Sequence, residues 1–163
     1  MDVKGRLMRI KLLVMDCDGV LTDGRLYYGA SGEELKVFHV RDGQGIVEWH
    51  RAGFRSAIIS GRNSPVVQLR ADELGIEFVR QGISKKVPAL KEIVLAAGVS
   101  SEEVAYIGDD LPDIEAFEFA GFSVAVADAV AAVRSAADLV TEAKGGLGAV
   151  REVIDLMLGN KNT

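Results

Sequence analysis

The stretch LLVMDCDGVLTDG, residues 12–24, decides how the rest of the sequence is interpreted. Its first part belongs to a largely apolar run, residues 10–15, that is typical of a buried β-strand. Asp16 and Asp18 follow this run directly, and a glycine and a threonine come soon after them. Two carboxylates this close together repel each other, so the pattern predicts a cation that holds them ionised side by side.

Short apolar runs alternate with helix-like patterns along the remainder of the chain. The predicted strands are residues 10–15, 56–59, 76–79, 104–107, 123–126 and 139–140, and the predicted helices are residues 44–51, 65–74, 87–97, 113–120, 130–136 and 147–158. This alternation predicts an α/β fold, a Rossmann-like doubly wound parallel sheet with helices on both faces. The turn-forming stretch GASGE separates residues 25–28 from residues 34–40 and indicates a protruding β-hairpin over about residues 25–40.

Length and composition narrow the class of protein. With 163 residues, the chain is long enough for one domain, residues 1–163, and too short for two well-packed ones. A net charge of -5 argues against a general nucleic-acid surface. The sequence contains no run of about 18 apolar residues, so it predicts no membrane span. Cys17 is the only cysteine, which excludes an intrachain disulfide and agrees with a reducing compartment. Because the N-terminal stretch carries no long apolar segment, we expect a cytoplasmic protein.

Polar residues follow four of the predicted strands, at the points where the strands end. They are Asp16 and Asp18; Ser60, Gly61 and Arg62; Gln81, Gly82 and, a little later, Lys86; and Gly108, Asp109, Asp110 and Asp113. The carboxyl ends of parallel strands share one edge of a sheet, and ligands bind at that edge. Clustered carboxylates suit Mg²⁺, whereas a hydroxyl, backbone amides and a lysine suit a phosphate group. The set therefore predicts phosphoryl transfer to an aspartate beside a metal ion.

Four segments resemble the motifs of the haloacid dehalogenase phosphohydrolases, and they occur in the same order. They are DCDGVLTDG, ISGR, Lys86 and GDDLPD, and the resemblance covers nearly the whole chain. It implies the fold of that superfamily, with Asp16 as the nucleophile that forms an aspartyl-phosphate. It also implies that Asp18 acts as the general acid and base. Mg²⁺ would be held by Asp16, by the main-chain carbonyl of Asp18, and by Asp109.

The same resemblance assigns supporting roles to other residues of these motifs. Lys86 would neutralise charge on Asp16 and on the transferred phosphoryl group, although the adjacent Lys85 is a rival for that role. Asp110 and Asp113 would act through water or hold the metal and the lysine in place. The phosphate cradle would consist of the Ser60 side chain and the amides of Gly61, Cys17 and Gly19.

The spacing of the motifs leaves no room for a cap domain. The segments between Asp16 and Ser60, and between Ser60 and Lys86, are both too short to hold one. A site without a cap is open, so it acts on a macromolecule or receives a lid from a neighbouring subunit. The predicted hairpin carries several apolar residues, and an isolated two-stranded ribbon is only marginally stable in water. The hairpin therefore favours assembly with neighbouring subunits.

Several longer stretches are similar to one capless group, the 3-deoxy-D-manno-octulosonate 8-phosphate phosphatases. They are LTDGRLYY, FHVRDGQGI, ISGRNSPVV, AYIGDDLPD, AVADA and GGLGAVREVID. The resemblance implies a Mg²⁺-dependent homotetramer, assembled through the hairpin, that releases free octulosonate for lipopolysaccharide synthesis. The partner would be a small sugar-acid phosphate, with no nucleic acid and no membrane involved.

An acidic sugar phosphate presents a carboxylate in addition to its phosphate. Arg41 and Arg62 follow elements that we expect at the same edge of the sheet, so both are candidates for binding the substrate. Arg151, in the C-terminal segment, is a candidate contact to a neighbouring site.

Two other functions stay open at this point. One is a phosphatase for nine-carbon nonulosonate 9-phosphates. The other is a non-enzymatic module, either a receiver domain that accepts a phosphoryl group or an allosteric tail. Asp18 argues against a receiver, because receivers lack this acid–base partner.

Overall fold

A six-stranded parallel sheet forms the centre of the computed structural model, which describes residues 3–32 and 34–161. The strands within these residues are β1 Leu12–Met15, β2 Tyr27–Tyr28, β3 Glu34–Leu35, β4 Arg55–Ile59, β5 Phe78–Arg80, β6 Val104–Gly108, β7 Phe122–Ala125 and β8 Leu139–Val140. The sheet has the order β5-β4-β1-β6-β7-β8, and β2 pairs with β3 in a separate antiparallel hairpin. The predicted α/β fold with a parallel sheet and a hairpin is confirmed.

The helices lie in two layers, one on each face of the sheet. Their bounds are α1 Val3–Arg9, α2 Val40–Arg51, α3 Pro65–Leu74, α4 Lys86–Ala97, α5 Ile114–Phe119, α6 Ala131–Ala136 and α7 Ala149–Lys161. Contacts join α1, α2, α3 and α7 in one layer and α4, α5 and α6 in the other. This division follows from the right-handed crossovers that connect parallel strands.

The position of β1 in the sheet determines where the polar residues meet. β1 lies between β4 and β6, with Met15 paired to Ile58 on one side and to Ile107 on the other. The chain first builds the sheet outward through β4 and β5, and then returns to the other side of β1 with β6. The loops that follow β1, β4 and β6 consequently converge at the point where the strand order reverses.

The helix α2 begins at Val40, earlier than the sequence predicts. His39 caps its first turn, because the ring Nδ1 accepts a hydrogen bond from the amide of Arg41 at 3.2 Å. Gly43 lowers the helix propensity of this part of the sequence, although it lies within α2. A β-carbon at this position would collide with the guanidinium of Arg70 in α3. The glycine is therefore explained by close packing of two helices and not by a loop.

Other boundaries also differ from the prediction. The sequence does not predict α1, because VKGRLMR is mostly polar, yet Leu7 is buried in the core. The hairpin strands are shorter than predicted, and Tyr28 and Leu35 are exposed. Ser64 takes the N-cap position of α3, but its buried hydroxyl has no hydrogen-bond partner among the described residues.

A buried carboxylate joins α2 to the C-terminal helix α7. Asp42 is 1% exposed and accepts hydrogen bonds from the amides of Gly148, at 3.3 Å, and Arg151, at 2.9 Å. Burial raises the pKa of Asp42, although these two donors act in the opposite direction. The contact caps the start of α7 and fixes it against the rest of the fold.

No separate domain is inserted near the polar edge in the described part of the chain. Between β1 and α4, those residues form only the hairpin, α2, β4, α3 and β5, which confirms the fold without a cap. Within residues 3–32 and 34–161, we find no helix long and apolar enough to cross a membrane.

Candidate active site

Asp16 stands at the carboxyl end of β1, and its carboxylate is nearly buried. Its Oδ1 accepts a hydrogen bond from the amide of Cys17 at 2.6 Å, and its Oδ2 lies 2.7 Å from Nζ of Lys86. The pKa of Asp16 is raised to about 6, chiefly by burial, while Lys86 opposes the increase. Asp113 also contributes to the increase, because its negative charge disfavours a second carboxylate nearby.

Lys86 is the first residue of α4, and its ammonium lies between two carboxylates. Nζ is 2.7 Å from Oδ2 of Asp16 and 2.6 Å from Oδ1 of Asp113, with the side chain 3% exposed. Burial alone lowers the pKa of Lys86, but the charges of Asp16 and Asp113 outweigh it and raise that pKa. The neighbouring Lys85 is exposed. The structure therefore brings Lys86, and not its sequence rival, to the aspartate predicted as nucleophile.

Asp113 organises the loop after β6 through four donors. Its Oδ1 accepts from Lys86 and, at 3.0 Å, from the hydroxyl of Tyr106. Its Oδ2 accepts from the amides of Asp109 at 2.9 Å and Asp110 at 3.2 Å. With both oxygens engaged, Asp113 holds the lysine and the loop in place. Tyr106 is not among the predicted site residues, because it lies inside an apolar strand.

A cluster of carboxylates at this edge of the sheet offers oxygen ligands that are close enough together to bind a divalent cation. Asp16, Asp109 and Asp113 each offer one oxygen, and these atoms lie within 4.8 Å of one another. The pKa of Asp109 is raised to about 8, mainly by burial and then by the charges of Asp16 and Asp113, against the opposing effect of Lys86. One lysine does not balance this cluster, so hard oxygen ligands and excess negative charge together suit Mg²⁺.

Asp18 lies between two cations that come from other parts of the chain. Nζ of Lys36, just after the hairpin, is 2.6 Å from Oδ1 of Asp18, and Nε of Arg62 is 3.8 Å from Oδ2. Arg62 also donates a hydrogen bond of 2.9 Å to the hydroxyl of Tyr28 on β2. Lys36 and Tyr28 are absent from the predicted site, because no motif links the hairpin to the strand ends.

The glycine of the first motif is required by a close approach. Gly19 has φ +85°, and a β-carbon there would collide with the carboxylate of Asp109. Its amide donates to Oγ1 of Thr22 at 3.3 Å, and the amide of Cys17 donates to Asp16. These two amides, which the sequence assigns to the phosphate, thus serve hydrogen bonds inside the loop in this structure.

An open cavity of about 370 Å³ covers this edge of the sheet. Its lining residues are Asp16, Asp18, Gly24, Leu26, Gly61, Arg62, Ile83, Ser84, Lys86, Asp109, Asp110 and Pro112. Ser60 is buried at the end of β4, where its amide donates to the carbonyl of Arg80 and its carbonyl accepts from Ile83. The cavity therefore brings together residues from all four predicted motifs.

Two of the arginines considered as substrate contacts lie elsewhere. Arg41 and Arg151 line a second cavity of about 410 Å³, together with His39, Glu152 and Asp155. The expectation that Arg41 shares the edge with Asp16 is wrong within one chain, because α2 begins early enough to place Arg41 in its first turn beside α7. Arg62 does line the predicted site.

Comparison with known proteins defines the class first. Residues 63–154 match the family described as haloacid dehalogenase-like hydrolase. The 3-deoxy-D-manno-octulosonate 8-phosphate phosphatase KdsC of Haemophilus influenzae is 46% identical over 153 residues, which cover 94% of this chain and 85% of that protein. Within this class of hydrolases, the chain belongs to the capless 3-deoxy-D-manno-octulosonate 8-phosphate phosphatase family, and it is a phosphatase.

The solved structures of two relatives contain a metal ion. A structure of this phosphatase from Moraxella catarrhalis, in complex with magnesium ion, phosphate ion and a KDO molecule, has a TM-score of 0.95 and 42% identity, and covers 98% of this chain and 91% of its own. A cobalt-bound form from Haemophilus influenzae has a TM-score of 0.94 and 45% identity, and covers 96% of this chain and 92% of its own. With the acidic cluster at the same edge of this fold, they confirm the prediction of Mg²⁺ as cofactor.

Proposed function

We propose that this protein hydrolyses 3-deoxy-D-manno-octulosonate 8-phosphate to 3-deoxy-D-manno-octulosonate and inorganic phosphate. The observation that carries the proposal is the Asp16 carboxylate, held by Lys86 beside Asp109 in an open cavity. The proposal is further supported by sequence similarity, because this chain is 46% identical, over 94% of its length, to a phosphatase named for that substrate. The product would serve lipopolysaccharide synthesis.

The first half of the reaction transfers the phosphoryl group to Asp16. A carboxylate oxygen of Asp16 attacks phosphorus, an O–P bond forms, and the bond from phosphorus to the sugar oxygen breaks. Asp18 gives a proton to the departing oxygen, which leaves as an alcohol. Lys86 stays beside Asp16 throughout and offsets the charge of the transferred group.

The second half releases phosphate and restores both aspartates. Asp18, now ionised, takes a proton from a water molecule as that water attacks phosphorus of the aspartyl-phosphate. The bond between phosphorus and the Asp16 oxygen breaks, and the carboxylate is free again. Ser60 and Gly61 directly follow the neighbouring strand β4, and the Ser60 side chain and the Gly61 amide would bind the phosphate oxygens.

Asp16, Asp109 and the main-chain carbonyl of Asp18 would hold Mg²⁺. The ion, when bound, supplies positive charge to carboxylates and a phosphate that otherwise repel one another. The raised pKa values of Asp16 and Asp109 support this assignment, since burial first and neighbouring negative charges second disfavour both ionised carboxylates, and a cation would offset that cost. Asp110 caps the following turn through the amide of Leu111 at 2.8 Å and so acts by holding the loop.

The substrate would be a small sugar acid, with Arg62 near its non-reacting part. Arg62 lies beside Asp18, which faces the leaving oxygen, so its guanidinium is placed on the sugar side of the phosphate. Arg41 would reach a sugar only in a neighbouring subunit's site. We further propose that the chain is one domain and assembles as a homotetramer through the hairpin, whose Tyr28, Leu35 and Val37 are exposed.

A panel of sugar-acid phosphates, assayed with Mg²⁺ and with EDTA, tests the proposal. We expect the eight-carbon 8-phosphate to give the highest kcat/KM, and EDTA to stop turnover. A preference for nine-carbon 9-phosphates would replace the substrate but keep the reaction. Release of one sugar molecule per chain from excess substrate, with the phosphoryl group kept on the protein, would instead identify a phospho-accepting module.

A further inference from the structure

A buried lysine next to the hairpin contacts the residue to which the mechanism assigns proton transfer. Lys36 follows β3 directly, and its Nζ lies 2.6 Å from Oδ1 of Asp18. The Lys36 side chain is 1% exposed and that of Asp18 is 20% exposed. An ammonium this deeply buried has lost its hydration, so the contact is a fixed part of the site and not a mobile surface ion pair.

The two oxygens of the Asp18 carboxylate differ in their surroundings. Oδ1 accepts the hydrogen bond from Lys36, whereas Oδ2 is 3.8 Å from Nε of Arg62, beyond hydrogen-bonding distance. Because Asp18 also lines the cavity, Oδ2 is the oxygen presented to a substrate. Tethering one oxygen fixes the rotation of the whole carboxylate, so Lys36 decides the direction in which Oδ2 points.

The other strand of the hairpin contacts the same place. Tyr28 on β2 accepts a hydrogen bond of 2.9 Å from Arg62, which lies beside Oδ2 of Asp18. Both strands of the hairpin therefore lead to residues around Asp18 in their own chain. This role is separate from any contact that the exposed hairpin residues make with a second copy.

We propose that Lys36 is a positioning residue for the phosphatase reaction, holding Asp18 so that its Oδ2 exchanges the proton. The inference rests on the proposed function, in which Asp18 is the general acid. When phosphorus separates from the sugar oxygen, the bonding electrons stay on that oxygen and the proton on Oδ2 converts it to an alcohol. A carboxyl group protonated on Oδ2 still offers Oδ1 as an acceptor, so the contact with Lys36 survives both protonation states.

Substrates whose leaving groups differ in their need for a proton distinguish this positioning role from a purely structural one. An alkyl leaving group such as a sugar alcohol needs a proton, whereas p-nitrophenolate departs without one. The parameter kcat/KM covers only the steps up to cleavage of the first bond, so it isolates the acid step from later hydrolysis of the aspartyl-phosphate. Misplacement of Asp18 should consequently lower kcat/KM for the alkyl substrate and spare it for the aryl substrate.

The experiment compares the wild type with Lys36→Met on 3-deoxy-D-manno-octulosonate 8-phosphate and on p-nitrophenyl phosphate, both with saturating Mg²⁺. We expect kcat/KM to fall about 10- to 100-fold for the sugar phosphate and less than about threefold for the aryl phosphate. Asp18→Asn provides the reference pattern for loss of the acid. Lys85→Met, on an exposed lysine outside the cavity, is the matched control and should change neither value.

A second variant restores the ammonium chemically. Lys36→Cys, alkylated with 2-bromoethylamine, gains an aminoethyl group on sulfur as bromide leaves, and we expect most of the lost activity on the sugar phosphate to return. Wild type treated in the same way controls for reaction at buried Cys17. Equal losses on both substrates, no loss at all, or no recovery after alkylation would each overturn the proposal. If Asp18→Asn hydrolyses the sugar phosphate normally, the acid role of Asp18, and with it this inference, has failed; if the wild type does not hydrolyse the sugar phosphate at all, the proposed function itself has failed.

Discussion

Gly145 packs directly against the main-chain carbonyl of Gly19 in the first motif. A β-carbon on Gly145 would collide with that carbonyl, and the next residue, Gly146, donates a hydrogen bond of 2.8 Å to the carbonyl of Val20. The Gly145 amide in turn donates to Oδ1 of Asp128 at 2.9 Å. The glycine-rich segment before α7 is thus a support for the catalytic loop of its own chain.

Gly145→Ala should disturb catalysis more than its distance in sequence from Asp16 suggests. The added methyl group displaces Gly19, which itself lies against Asp109, so the metal-binding carboxylates shift. We expect a loss of about 10- to 100-fold in kcat/KM and about 1–3 kcal/mol in the free energy of unfolding. Steady-state kinetics and urea unfolding measure the two effects. Gly159→Ala is the control, because a β-carbon at Gly159 contacts nothing; equal activity of both variants would contradict the prediction.

Asp16→Asn should remove turnover while leaving the fold intact. The amide keeps the shape of the side chain but is a poor nucleophile, so phosphate release should fall at least about 10³-fold. The measurement is phosphate release with Mg²⁺ present, with far-ultraviolet circular dichroism as a check on folding. Asp155→Asn is the matched control, since Asp155 is an exposed partner of Arg151 outside the cavity. Native turnover by Asp16→Asn would remove the basis of the proposed mechanism.

Lys86→Met should lower both stability and activity. The change leaves two buried carboxylates, Asp16 and Asp113, without the cation that lies 2.7 Å and 2.6 Å from them. Breaking a buried pair in this way costs about 3–5 kcal/mol, and loss of the charge near phosphorus should lower kcat by about 10²-fold or more. Thermal unfolding and kinetics in Mg²⁺ test both effects. Lys85→Met, next to it but exposed, should lie within about 0.5 kcal/mol of the wild type.

The sequence predicts the parts of the site that strand ends bring together. Asp16, Ser60, Lys86 and Asp109 are recognisable because each follows a β-strand at a spacing that parallel topology makes meaningful. The strand order places β1 between β4 and β6, and the convergence of their loops follows without any detail of packing. Local pattern and general topology are sufficient for this part of the structure.

Contacts that depend on the path of a loop cannot be predicted from local sequence pattern and sheet topology. Lys36 reaches Asp18 from a segment without regular secondary structure after β3, and no periodicity in the sequence indicates that contact. Tyr106 reads as an ordinary strand residue, although its hydroxyl donates to Asp113. Arg41 fails for the opposite reason, because the sequence places it in a loop whereas the structure places it in α2. Side-chain direction decides the contacts of Lys36 and Tyr106, whereas the early start of α2 decides the position of Arg41.

The contribution of Asp16 and Asp109 to the stability of the metal-free protein should fall as pH rises from about 4 to about 8. Asp16 and Asp109 have pKa values raised to about 6 and about 8 from the ordinary value of 3.8, so the folded state holds their protons more tightly than the unfolded state. That advantage is complete below pH 3.8 and is lost as pH rises through the two folded-state values. Thermal unfolding in EDTA across this range measures the trend.

Asp109→Asn separates this effect from all other titrations in the chain. Asp109 faces the charges of Asp16, Asp113, Lys86 and Asp110, and the variant removes one of the four negative charges in that group. At about pH 8 in EDTA we therefore expect it to unfold about 2–8 °C higher than the wild type, with the difference vanishing near pH 4. Saturating Mg²⁺ should reverse the order at pH 8, because the cation stabilises only the chain that keeps its ligands. If Mg²⁺ stabilises wild type and variant equally, Asp109 is not a metal ligand; if the EDTA curves coincide at all pH values, the carboxylates are not crowded as the structure indicates.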